Sequence, residues 1–232
     1  MNVGRAARGG PTLSGRSPGS SPPRDPTRDV AHAWGVAAVV ATGVVAICAI
    51  VAANGILPGE TAVRDAVLGV SSPRLRALSR TIRPLGTWWG IAPGVLLLLA
   101  VSRRAGRRWW LWSLALIVAP LVGEALQEFV GRLRPRGPAF GFPSGHATAA
   151  AAFAVAVIYL VGRSDLRRAL RIGVAVVVVT LTLVIGISRI VLDAHWPLDV
   201  VAGFALGAAG AAAAAWWDAA HPPSRPREPH PP

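Results

Sequence analysis

Three short polar clusters interrupt an otherwise apolar chain, and their residue types suit the handling of a phosphate group. The first is Gly131-Arg132-Leu133-Arg134-Pro135-Arg136 and the second is Phe142-Pro143-Ser144-Gly145-His146-Ala147. The third runs from Ser188-Arg189 through Asp193, His195, Trp196 and Pro197 to Asp199. Guanidinium forks such as those of Arg134 and Arg189 match phosphate oxygens and give charge-assisted, often bidentate contacts. Ser144 stands where it can cap a helix, and Gly145 allows close backbone approach, so the first N–H groups of that helix make a ready anion site. Pro197 suits a first helical turn. His195 then lies at or just before that turn and Asp199 four residues on. A carboxylate so placed can accept a hydrogen bond from one imidazole nitrogen and leave the other basic and aimed outward.

Each signal has a plainer reading when taken alone. Ser-Gly-His is otherwise a capped helix start with an incidental His146. Asp199 otherwise complements a helix dipole, worth about 0.3–1 kcal/mol. Arg189 otherwise snorkels to lipid headgroups. The conjunction favours a site, provided that a fold brings the three clusters together.

The elements that must do so are membrane spans. Of 232 residues, 53% are hydrophobic and only 15% charged, and the mean hydropathy is +0.48. Soluble domains carry about 25% charged residues, so this chain lacks the charge to solvate a water-facing surface. The net charge of +13 comes from 24 arginines with no lysine, but they fall between apolar runs rather than on one basic face, so nucleic acid is not an expected partner. The lone Cys48 rules out a disulfide framework and a thiolate metal site.

Ala33 to Gly59 is an uncharged run of 27 residues, longer than a signal-peptide core and long enough to cross about 30 Å of hydrocarbon. A cleaved signal behind a polar tail is the weaker alternative. Further apolar stretches at Leu85–Ser102, Trp109–Val130, Ala147–Gly162, Ile172–Ser188 and Val200–Trp217 bring the expected total to six spans. The expected fold is thus all-α, a six-helix transmembrane bundle spanning 33–218, between a disordered tail at 1–32 and a Pro-rich tail at 219–232. All nine tryptophans fall near an end of a span, as an aromatic belt requires. Placing both termini in the cytoplasm puts 15 arginines on that side and 9 on the other, which the positive-inside rule favours. The three clusters then share the outer face of a cell-membrane protein.

Between the first two spans, Leu75, Leu78, Ile82 and Leu85 recur at helical spacing among Arg74, Arg76, Arg80 and Arg83. That segment reads equally as an interfacial helix gathering anionic headgroups or as a connecting helix packed on the bundle.

The clusters resemble the signature of the type 2 phosphatidic acid phosphatase superfamily of integral membrane lipid phosphatases. Its second part, Pro-Ser-Gly-His, is complete at Pro143–His146, and its third, Ser-Arg-x5-His-x3-Asp, is complete from Ser188 to Asp199. Its first, Lys-x6-Arg-Pro, supplies Arg134-Pro135 but has Gln127 where the pattern has lysine. The resemblance implies metal-independent transfer with no cofactor. His195, oriented by Asp199, forms a phosphohistidine; His146 protonates the leaving oxygen and then serves as base. Arg134, Arg189, Ser144, the Gly145 N–H and Gln127 hold the non-bridging oxygens.

The implied substrate is a lipid phosphate monoester or diphosphate: phosphatidic acid, phosphatidylglycerol phosphate or a polyprenyl diphosphate such as undecaprenyl diphosphate. Membrane lipids are the other expected partners, and no protein partner is identifiable. An uncharged Gln127 costs a charge-assisted contact of roughly 1.5–3 kcal/mol unless Arg132 or Arg136 reaches in. The competing expectation is accordingly a weakly active or non-catalytic lipid-phosphate binder of the same fold. Glu124 and Glu128 share a helix face with Gln127; an ordinary Glu128–Arg132 ion pair is the favoured reading, ahead of a role in orienting the basic cluster.

Overall fold

The computed structural model describes residues 26–222, so the expected tails at 1–25 and 223–232 lie outside the described residues. Among the described residues nine α-helices follow in order: α1 Pro26–Ala53, α2 Pro58–Gly69, α3 Pro73–Ile82, α4 Trp88–Val101, α5 Arg103–Arg107, α6 Trp109–Val130, α7 Gly145–Gly162, α8 Arg168–Val191 and α9 Pro197–Ala220. A 3-10 turn at Arg83–Gly86 joins α3 to α4. Among the described residues there is no strand, only an isolated bridge between Leu133 and Phe140. Proline occupies the first turn of α2, α3 and α9, where its missing N–H costs nothing and its fixed φ suits the helix.

Five helices, α1, α6, α7, α8 and α9, are long and apolar enough to cross a membrane. The sixth span differs from expectation. The uncharged run Leu85–Ser102 yields only the 14 residues of α4, about 21 Å of helix, and counts as a span only together with α3 and the 3-10 turn, from which it bends by 48°. The first span likewise stops at Ala53 rather than Gly59, because Gly55 takes a φ of +114° and Pro58 opens a new helix. It starts earlier, at Pro26, and α9 runs two residues past 218.

The core of the bundle is α7 against α9. Their facing positions are Ala and Gly, and the backbones meet closely: a Cβ on Gly207 would sit 2.1 Å from the Thr148 carbonyl oxygen, and one on Gly203 2.5 Å from that of Ser144. Small residues are what permit such approach between helices in lipid. The α1 helix runs along α9, its Gly35 against Trp216 and its Cys48 clustered with Ala202. The outer faces of α1 and α8 expose Val39, Ile50, Val176 and Ile187, as lipid contact requires.

At the end of the bundle formed by the last turn of α9, Asp218 is fully buried and accepts from Arg104 Nε at 2.5 Å, Arg108 Nη1 at 2.6 Å and Tyr159 Oη at 2.5 Å. Two of the arginines expected only to set topology therefore clamp α5 and α6 to α9. The aromatic belt needs the same correction, since Trp112 is fully buried with its ring 5.4 Å from that of Tyr159, and Trp196 is also buried. Trp89, Trp109, Trp110 and Trp216 are exposed as a belt requires. Asp218→Ala would strand two guanidinium groups in a half-dry site. The expected loss is about 3 kcal/mol, the low end for a broken buried pair because Arg104 is partly exposed, and thermal unfolding in detergent measures it.

Candidate active site

At the opposite end, the C-termini of α6 and α8 and the N-termini of α7 and α9 bring all three polar clusters together. Gly131 ends α6 in the left-handed conformation (φ +63°), and the chain doubles back through a second positive-φ glycine, Gly137. The Arg134 N–H donates to the Ala139 oxygen, and the Gly141 N–H to the Arg132 oxygen. This narrow loop presents the Gly141 carbonyl to His195, whose Nδ1 lies 2.9 Å from it.

That contact determines the chemistry of His195. A carbonyl oxygen can only accept, so Nδ1 carries the proton and Nε2 keeps its lone pair. Asp199, expected to orient the ring directly, lies farther off, with Oδ2 3.6 Å from Nδ1. Its oxygens are engaged elsewhere: Oδ2 accepts from the Trp196 N–H at 2.9 Å, as a helix-capping carboxylate does, and Oδ1 accepts from Arg132 at 3.0 Å. Asp199 thus serves both the helix start and the imidazole, the second through charge rather than a hydrogen bond. Burial pushes the His195 pKa below its ordinary 6.5; Asp199 opposes the shift, while Arg134 and Arg189 add to it.

The second cluster is fixed from two sides. The Ser144 N–H donates to the Asp199 carbonyl oxygen at 2.9 Å, and Gln127 Nε2 donates to the Pro143 oxygen at 3.0 Å. Gln127 therefore supports the loop that carries Ser144. Ser144 holds the N-cap position of α7, but its hydroxyl makes no capping bond. The Ser144 Oγ, His146 Nε2, and Arg189 Nε and Nη1 are all buried without a protein partner. Buried polar groups are nearly always paired, so three such groups on neighbouring motifs mark a place built to receive a polar ligand. A Cβ on Gly145 would meet nothing within 4 Å, which leaves the free N–H groups of the first turn of α7 approachable.

The arginines sort by partner. Arg132, buried, bonds Glu60 of α2 as well as Asp199, so the expected Glu128–Arg132 pair does not form, and Glu124 and Glu128 are exposed. Arg136 is 79% exposed and faces Asp193 at 3.7 Å. Neither Arg132 nor Arg136 takes the place of the missing lysine. Arg134 spends only its Nε, on the Phe140 oxygen, and Arg189 forms no ion pair with a carboxylate among the described residues. Both lie within electrostatic reach of His146 and His195, as does Arg83 of His146.

Several residues that hold the site were not found in the sequence. Glu60 is buried and binds the N–H groups of Leu57 and Leu198 besides Arg132. Arg64 donates to Asp193 at 2.7 Å and lies over the Trp196 ring. Both sit on α2, and the only sequence signal was a helix-opening Pro58 with the acidic Glu60 in the same first turn. Among the described residues no cluster of His, Cys, Asp or Glu is arranged to hold a metal ion.

Two apolar hollows flank the bundle. One of about 140 Å³ lies among α4, α7 and α8, lined by Leu85, Ile91, Phe153 and Ile185, beside the site. The other, of about 500 Å³, lies between α6 and α9 and reaches Trp110 and Trp217 at the far end, away from the polar cluster.

The chain matches the PAP2 superfamily over residues 108–222. It is 29% identical to phosphatidylglycerophosphatase B of Bacillus subtilis (strain 168) over 175 residues, 69% of this chain and 84% of that protein. It is 33% identical to the decaprenylphosphoryl-5-phosphoribose phosphatase of Mycobacterium tuberculosis (strain ATCC 25618 / H37Rv) over 166 residues, covering 65% and 85%. Its fold is similar to the crystal structure of a transmembrane PAP2 type phosphatidylglycerolphosphate phosphatase from Bacillus subtilis, with a TM-score of 0.69, 23% identity, and coverage of 80% of this chain and 98% of that one.

Proposed function

Because the chain belongs to the PAP2 superfamily, we propose that it is a membrane lipid phosphatase that hydrolyses a lipid phosphate monoester or diphosphate through a phosphohistidine at His195. The observation that carries this reading is the convergence of partnerless buried donors, Arg189, Ser144 and His146, beside a histidine whose Nδ1 proton is committed to a carbonyl. His195 Nε2 attacks phosphorus as the bond to the lipid oxygen breaks, and His146, protonated when an anionic substrate lies against it, gives its Nε2 proton to that oxygen. Water then attacks the phosphohistidine, the P–N bond breaks, and His146 takes the proton back. Arg134, Arg189, the Ser144 hydroxyl and the Gly145 N–H hold the non-bridging oxygens, where charge stabilisation counts most. Asp199 steadies the imidazolium character that develops at His195, and Gln127 acts through the Pro143 carbonyl.

The reaction as written has no step for a metal or cofactor, so phosphate release is expected to survive chelator. The proposed layout keeps residues 33–218 as one membrane domain with both termini cytoplasmic and the site at the outer leaflet, the headgroup at the polar cluster and an acyl or prenyl chain toward Leu85, Phe153 and Ile185. A purified-protein panel tests the substrate class: phosphatidic acid, phosphatidylglycerol phosphate, a polyprenyl diphosphate and a polyprenylphosphoryl pentose phosphate. Vanadate-sensitive release from one or more is the expected result; release from none favours the lipid-phosphate-binding alternative.

The depressed pKa of His195 has a consequence for pH. The attacking ring must be neutral, and neutrality persists to lower pH when the folded pKa falls below 6.5. The acid limb of kcat/KM, which reports the free enzyme, is therefore expected below 6.5.

A further inference from the structure

We propose that Arg83, which belongs to none of the three motifs, is a third phosphate-binding guanidinium and supplies the positive charge that Gln127 does not. The proposal rests on the phosphatase reading and extends its site. Gly86 is buried against the helix that carries His146: a Cβ there would sit 3.0 Å from His146 Cβ and 3.1 Å from its Cδ2. Arg83 and Gly86 are the first and last residues of one 3-10 turn, and side chains three apart in such a turn eclipse. The face that Gly86 turns to His146 is therefore the face on which Arg83 projects. A glycine at the contact lets the turn lie against the imidazole, with the exposed arginine on the rim beside it.

Charge points the same way. Arg83 lies within electrostatic reach of both His146 and Arg189, and Arg134 reaches the same two groups. Three guanidinium groups thus reach His146, and two of them, Arg134 and Arg189, reach His195 as well. The nearby acids are committed elsewhere: Asp199 and Glu60 to Arg132, and Asp193 to Arg64. Among the described residues no carboxylate forms an ion pair with Arg83, Arg134 or Arg189. Like charges assembled without a counter-ion repel, and a bound phosphate dianion relieves the repulsion. Arg189, 5% exposed with Nε and Nη1 partnerless, is the buried member aimed at that anion, and Arg83, exposed at the rim, closes over it.

The test uses the full-length protein in nanodiscs and two probes: inorganic phosphate binding by calorimetry, and kcat/KM on the lipid that the panel identifies. Arg83→Ala is expected to weaken phosphate binding and kcat/KM by about 10- to 100-fold, the scale of one charge-assisted contact. Arg83→Lys should recover most of the loss, and Arg80→Ala, one turn back on α3, should change neither. Gln127→Lys should gain more in the Arg83→Ala background than in the wild type, since one added cation replaces the other. Phosphate binding within twofold of wild type in Arg83→Ala overturns the proposal, as does an equal effect of Arg80→Ala or an equal gain from Gln127→Lys in both backgrounds. Phosphate binding that depends on Arg83 in a protein that hydrolyses no lipid would sink the phosphatase reading and leave the anion site standing.

Discussion

His195→Asn is expected to abolish lipid phosphate hydrolysis, with a fall in kcat on the order of 10⁴ or more, as when an enzyme loses its nucleophile. Asparagine is chosen because its side-chain amide can still donate toward the Gly141 carbonyl, while offering no ring nitrogen to phosphorus. The substitution therefore separates chemistry from packing at a position only 2% exposed. Phosphate binding should survive, because the guanidinium groups and the α7 N-terminus are untouched. Phosphate release at the wild-type rate from His195→Asn would remove His195 from the mechanism, whatever the fold. A loss of activity accompanied by a collapse of the unfolding transition would instead report packing, so both are measured on the same preparation.

Arg132→Ala is expected to be the most destabilising single substitution near the site. It leaves Glu60, 6% exposed, and Asp199, fully buried, without their shared cation. Removing one partner of a buried ion pair costs roughly 3–5 kcal/mol, because the remaining charge cannot be resolvated. Here two carboxylates are stranded, and they belong to different elements: Glu60 to α2 and Asp199 to the start of α9. The damage should reach catalysis, since Asp199 also holds the Trp196 N–H next to His195. Glu60→Gln keeps one oxygen acceptor, for either the Leu57 or the Leu198 N–H, and leaves Arg132 paired with Asp199, so it should cost less. Thermal unfolding in detergent, read for Arg132→Ala, Glu60→Gln and the double variant, gives the coupling. An Arg132→Ala protein as stable as wild type would show that this network is not what joins α2 to the catalytic loop.

The sequence carried the chemistry of the site better than its support. Residue type and spacing at Arg134-Pro135, Pro143–His146 and Ser188–Asp199 were enough to place two histidines and two arginines at one end of the bundle, since alternating spans leave little choice of side. The spacing could not say which acceptor orients His195. Asp199 sits at i+4 as a histidine partner should, yet the carbonyl of Gly141, 54 positions earlier in the chain, takes the hydrogen bond. Ser144 does occupy the N-cap position of α7 as its type suggests, but its hydroxyl makes no capping bond, a distinction that residue type cannot make.

Long-range pairs were the other blind spot. Arg132 has Glu128 one turn away on α6, but it reaches Glu60, 72 positions earlier, because the loop turns it inward. Asp218 and Arg104 are likewise joined across 114 positions. Apolar run length also misleads when a span is broken: Leu85–Ser102 reads as one hydrophobic stretch, and only the structure puts a 3-10 turn at its start and lays that turn on His146.

The central claim is that phosphorus becomes bonded to His195. Mixing the protein with a lipid radiolabelled at the scissile phosphate, quenching in base to preserve a phosphoramidate, and mapping the labelled peptide tests it directly. The expected result is label on the peptide that contains His195, absent from His195→Asn. Label on any other residue, or sustained hydrolysis by His195→Asn, would contradict it.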